Sequence, residues 1–141
     1  MIDDTSLFGV ASVKKDAKNR IMLPSSISAE KGEKLVLMRY NEYFKIISKE
    51  LLEILLDKLE EEITAALNSG DANVENLKKA RDRFFFNALK VMSVDGQSRI
   101  NIGNDVYENE TILKVVGCRD GIYLMTQADY DNVIKEEAPV F

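Results

Sequence analysis

An aspartate-led segment occurs twice in this 141-residue chain, at a constant offset of 79 positions. The first copy is Asp16-Ala17-Lys18-Asn19-Arg20-Ile21-Met22-Leu23-Pro24. The second is Asp95-Gly96-Gln97-Ser98-Arg99-Ile100-Asn101-Ile102-Gly103. In each, an Asp is followed four residues on by an Arg and then by alternating apolar residues. An internal repeat has to be read before any single element, because it dictates that two stretches share one plan. The chemistry is that of a turn feeding a strand. Asp initiates turns by accepting a backbone N–H two residues on. Asn19 tolerates a left-handed backbone and Gly96 adopts one without steric cost. Period-two apolar residues then mark a half-buried strand. Pairing of Asp16 with Arg20, and of Asp95 with Arg99, would fix the direction of each guanidinium. A salt-bridged turn with no further role is the plain alternative.

Either repeat alone is too small to bury a sizeable core, so the two are expected to pack together or on another subunit. Around the turns the sequence reads as strands and hairpins. Phe8, Val10 and Val13 open an extended segment, after frayed residues 1–6. A short helical turn is expected from Ser25 to Ala29. Lys34–Arg39 and Tyr43–Ile47 are strands about an Asn41-Glu42 turn. Ile112–Val116 and Ile122–Met125 flank a Gly117–Gly121 turn. Each repeat thus reads as strand, Asp-x-x-x-Arg turn, strand, short helix, hairpin. Between them, Leu52, Leu55, Leu56, Leu59, Ile63, Ala66 and Leu67 make one apolar helical stripe. Ser48 caps its start and Gly70 ends it. A second helix begins near Asp71 or Asn73 and runs through Leu77, Ala80, Phe84 and Ala88. The Phe84–Phe86 triplet reads as core and packing face; a base-stacking platform is the sharper alternative. A last helical turn surrounds Tyr130 and Val133, before a loose acidic end.

Charge narrows the function. The net of −5 argues against indiscriminate nucleic-acid binding. Its distribution is uneven: +2 over residues 1–48, −2 over 49–90 and −5 over 91–141. Lys14, Lys15, Lys18 and Arg20 surround the single Asp16, whereas Arg99 is the one cation of its own repeat near the second turn. Attraction to phosphate should therefore come mostly from the first repeat. The chain has no histidine. That removes His-based acid–base chemistry, Ser-His-Asp and Cys-His arrangements and His-ligated metal. No phosphate-cradling glycine loop occurs. Cys118 cannot form an internal disulfide, and a neighbouring Arg119 could lower its pKa. No apolar run is long enough to span a membrane, and no signal peptide is read at the start. No enzyme activity, metal or cofactor is expected.

Phe8-Gly9, Asp16-x-Lys18-x-Arg20 with its apolar strand and Pro24, and then Asp95-x-x-x-Arg99 with Val115-Val116-Gly117, resemble the two halves of the MraZ family. These are bacterial transcription regulators of the AbrB/SpoVT swapped-hairpin superfamily. The resemblance runs through nearly the whole chain in order. Asn19 and Ser98 stand where the family usually has Gly, Gly103 stands where it has Pro, and Tyr130 stands where an aromatic, often Trp, is found. The resemblance implies an α+β fold: two swapped-hairpin repeats, residues 7–48 and 89–133, packed as one β unit and joined by a helical pair over 49–88. It implies a homo-oligomeric ring, an octamer among the sizes, in the cytoplasm and on the nucleoid. The implied partner is double-stranded DNA at repeated promoter boxes upstream of a division and cell-wall gene cluster. Arg20 would then reach base edges, with Lys14, Lys15 and Lys18 on phosphate and Asp16 orienting Arg20. Arg99 would be the weaker reader or a structural partner of Asp95. The competing reading is an oligomeric interaction scaffold that has lost DNA binding.

Overall fold

The structure, a computed structural model, describes residues 9–24 and 29–137. Phe8, residues 1–6, all but Ala29 of the expected helical turn at 25–29 and the end of the acidic tail lie outside the described residues. The first repeat supplies β1 (Val10–Lys14), β2 (Arg20–Met22), β3 (Lys34–Tyr40) and β4 (Tyr43–Ser48). Helices α1 (Lys49–Ser69) and α2 (Val74–Asn87) follow. The second repeat supplies β5 (Ala88–Ser93), β6 (Arg99–Asn101), β7 (Ile112–Cys118) and β8 (Gly121–Met125), and α3 (Gln127–Glu137) closes the described chain. The architecture is α+β, with a six-stranded antiparallel sheet and a two-stranded one.

The repeat in the sequence becomes an approximate two-fold in the pairing. The six strands run β1-β7-β8-β4-β3-β5, and exchanging corresponding strands of the two repeats reads the same order backwards. Strand β1 pairs with β7 of the other repeat, and β5 pairs with β3. In the small sheet Ile21 lies opposite Ile100, its own counterpart, with Arg20 opposite Asn101 and Met22 opposite Arg99. The core follows the same rule. Val13 and Met92, Ile21 and Ile100, Leu23 and Ile102, Leu35 and Leu113, Leu37 and Val115 are corresponding pairs in one buried cluster. Neither repeat could bury these residues alone, because half of each contact belongs to the other.

The helical pair covers the outer face of the first hairpin. Val36, Met38 and Ile47 point away from the main core and pack with Leu52, Leu56 and Phe84. That is why β3 is buried on both faces over Leu35–Met38. Ser48 accepts Leu51 N–H at 3.0 Å and caps α1, and Gly70 closes it, as the sequence indicates. Of the phenylalanine triplet Phe84 is packed, but Phe85 and Phe86 are exposed. On a helix, consecutive residues point in different directions.

Several expectations change. The last helical turn around Tyr130 and Val133 is an 11-residue helix that takes in Glu136 and Glu137 of the expected loose end, and Ala88, expected in the second helix, opens β5. The second repeat has no short helix between β6 and β7; residues 104–109 are turns and bends. The second hairpin turn is tighter than Gly117–Gly121, because Gly117 and Cys118 remain in β7, paired with Ile122 and Gly121. Gly96 does not take the left-handed geometry; the fourth turn residue does, Asn19 at φ 62° and Ser98 at φ 59°. Gly103 occupies a position that proline could not. It sits at φ 83°, which a proline ring forbids, and its N–H donates to Asn101 Oδ1 at 2.8 Å.

Candidate nucleic-acid interface

Each Asp-x-x-x-Arg segment is a closed hydrogen-bonded turn. Asp16 Oδ1 accepts the N–H groups of Lys18 and Arg20, each at 2.9 Å. Its Oδ2 accepts Arg20 Nε at 2.8 Å. The main chain closes the same loop, since Asp16 N–H donates to the Arg20 carbonyl and Asn19 N–H to the Asp16 carbonyl. The second turn repeats every bond: Asp95 Oδ1 accepts Gln97 and Arg99 N–H, and Oδ2 accepts Arg99 Nε at 2.9 Å. Both carboxylates are held below the usual range. The backbone N–H of the paired arginine is the largest cause in each case, opposed by desolvation and helped by the guanidinium.

Each carboxylate binds its arginine through Nε and leaves the two Nη nitrogens to other partners. Among the described residues no hydrogen bond or ion pair engages them. The ion pairs themselves are about one-third exposed and so add little to stability. What they provide is aim.

The two turns are joined back to back. Leu23 N–H donates to the Ser98 carbonyl at 2.8 Å, and Ile102 N–H to the Asn19 carbonyl at 3.0 Å. The left-handed residue of each turn therefore anchors the strand of the other. On the resulting ribbon Ile21 and Ile100 face the core, while Arg20, Met22, Arg99 and Asn101 share the opposite face. From strand geometry the two arginine Cα atoms stand diagonally about 8–9 Å apart. Met22 and Asn101 lie between them, both exposed. Neither was singled out in the sequence; the alternation of Ile21 and Ile100 was the signal that could have placed them.

Of the lysines, Lys14 and Lys18 are exposed at the first turn. Lys15 is not available there, which corrects the expectation that it meets phosphate. Its side chain is buried and its ammonium donates to the carbonyls of Val106 and Tyr107, the latter at 2.6 Å. Its counterpart in the second repeat is the buried Val94, so the site is an apolar one into which a lysine stem has been built. Tyr107 is held at φ 50°, and its ring meets Phe44 edge-on at 5.2 Å.

The second turn has cations that its own repeat does not supply. The loop before β3 lies against it: Gly32 N–H donates to the Val94 carbonyl, and Val94 N–H to that of Glu33. Lys31 lies over Gly96, and a Cβ there would be 3.8 Å from its Cδ. The Lys34 ammonium donates to Ser93 Oγ. In the mirrored place the first turn meets the loop containing Glu108 and Glu110, through Lys15 N–H and the Thr111 carbonyl. The expected charge contrast between the turns is thus reduced by folding.

Elsewhere, no group of three His, Cys, Asp or Glu side chains able to hold a metal is found among the described residues. Burial and Asp120 push the Cys118 thiol up, contrary to activation by Arg119. No helix among them is long and apolar enough to cross a membrane. The sequence matches no protein-family model and no curated protein.

Proposed function

We propose that this chain is a sequence-specific DNA-binding transcription regulator of the MraZ kind, built from two AbrB/SpoVT-like swapped-hairpin repeats. The observation that carries the reading is the β2–β6 ribbon, with two carboxylate-aimed arginines on one exposed face. A two-stranded ribbon is an element that the major groove admits, and guanine O6 and N7 are the usual target of an arginine there. Nη groups directed past a fixed Nε suit that bidentate contact. Lys14 and Lys18 stand where backbone phosphates would flank Arg20. Asp16 and Asp95 hold the readers in place. The family's usual glycines are replaced by Asn19 and Ser98, yet both positions keep the left-handed geometry and the turn bonds. The turn itself is therefore intact, which favours the reader over a scaffold without DNA binding.

One chain offers few cations, so several copies on repeated boxes would supply much of the affinity through avidity. The exposed apolar side chains Phe85, Phe86, Leu89 and Val91, along α2 and the edge strand β5, support self-association into the ring. The reading places the protein on nucleoid DNA in the cytoplasm and gives it no catalytic role.

The test is fluorescence anisotropy with labelled DNA from upstream of the protein's own gene, at two salt concentrations. Wild type should prefer that DNA to a scrambled duplex and weaken with salt, and Arg20→Ala should reduce the preference. A folded, oligomeric protein that shows no preference would favour the scaffold reading.

A further inference from the structure

We infer that Lys31 and Lys34, both from the first repeat, complete a second phosphate-contacting site around Arg99 of the second repeat. The inference rests on the DNA-binding reading and extends it to residues that no motif contains. Three observations place them. Two backbone hydrogen bonds, from Gly32 to Val94 and from Val94 to Glu33, fix the first repeat's loop beside the second turn. The Lys31 stem runs over Gly96, the residue after Asp95, with its Cδ and Cε 3.8 and 3.9 Å from where a Cβ would stand. Lys34 pairs across the sheet with Ser93, two residues before Asp95, and spends one of its three N–H donors on that hydroxyl. Both lysines are exposed.

The arrangement mirrors the first turn by a different route. There Lys14 and Lys18 come from the same repeat as Arg20. At the second turn the corresponding residues are Ser93 and Gln97, which carry no charge, and the cations arrive from the neighbouring loop and the start of β3. Two acidic residues share that loop. Both carboxylate oxygens of Glu33 are buried, so they are not at the surface that a duplex would contact. Glu30 is exposed and opposes the lysines. The ligand class is the phosphodiester backbone of a duplex whose bases face the ribbon. Contacts of this kind add affinity without sequence preference.

The experiment measures binding of the full chain to the same promoter duplex from 50 to 200 mM salt. Lys31→Gln/Lys34→Gln removes two charges and retains the stems; Lys58→Gln/Lys79→Gln removes two exposed charges from α1 and α2. The first pair should lower the slope of log K against log salt by about 1.8, two contacts at roughly 0.9 each, and leave the preference over scrambled DNA unchanged. Lys31→Arg/Lys34→Arg should restore wild-type binding, which a merely folding-related defect in the glutamine pair would also have to pass by circular dichroism. Glu30→Gln should tighten binding. If the two glutamine pairs behave alike while Arg20→Ala still reduces preference, the composite site is overturned and the regulator reading stands. If wild type binds no duplex, both fall together.

Discussion

Lys15 shows how one residue separates a structural role from a binding one. Its ammonium closes two carbonyls of the 105–111 loop, one of them on the strained Tyr107. Removing it leaves those acceptors without their charged donor, a loss of about 1–3 kcal/mol. Lys15→Ala should therefore lower the urea midpoint while the salt slope of DNA binding stays unchanged. Lys14→Ala should do the reverse. Asp16 makes a further distinction. An asparagine can still accept the Lys18 and Arg20 N–H groups through Oδ1, but its amide nitrogen cannot accept Arg20 Nε. Asp16→Asn should thus leave the chain folded with a modestly lower melting temperature and reduce discrimination between promoter and scrambled DNA by about ten-fold. The same carboxylates set an acid limit. Their native pKa values lie below the ordinary 3.8, so the stability that they contribute is complete above about pH 4 and is lost as pH falls through the lowered values. Urea unfolding should be flat from pH 7 to 5 and weaken below 4, and Asp16→Asn/Asp95→Asn should flatten that fall.

At the scale of elements, the strands, helices and hairpins were largely legible, because each is written in local chemistry. The stripe from Leu52 to Leu67, the Ser48 cap and the Gly70 stop define α1, and alternation at Ile21 and Ile100 defines the ribbon. What was not legible depends on partners distant in sequence. Lys15 looks like a second surface lysine until the 105–111 loop is placed beneath it. Lys31 and Lys34, the latter opening a strand, look remote from Asp95. Gly121 looks like a turn glycine, but it is needed for close approach. A Cβ there would fall 2.2 Å from the Ile46 carbonyl oxygen, against backbone that cannot give way. Gly121→Ala should cost about 1–3 kcal/mol through overpacking between β4 and β8, seen as a lower midpoint in thermal unfolding. Ser48→Ala should cost about 1 kcal/mol through loss of the α1 cap.

For the whole molecule, the palindromic strand order means that the two repeats are halves of one cooperative unit. Every strand of the first repeat except β2 lies in the same sheet as every strand of the second except β6, and β2 and β6 pair with each other. Fragments 1–87 and 88–141 should each lack cooperative unfolding when separate and regain strand signal in circular dichroism on mixing. Cooperative melting of either fragment alone would contradict the interlocked core. The same interlocking is what sets Arg20 and Arg99 on one face, so the central claim is that they act as a single reader. The direct measurement is a double-mutant cycle of Arg20→Ala and Arg99→Ala on promoter against scrambled DNA, by anisotropy at fixed salt. Each single change is predicted to cost about 1–3 kcal/mol of discrimination, and the double should leave only salt-dependent, sequence-independent binding. Unchanged discrimination in Arg99→Ala would contradict the paired reader and leave the first turn to act alone; unchanged discrimination in both would remove the ribbon from DNA recognition altogether.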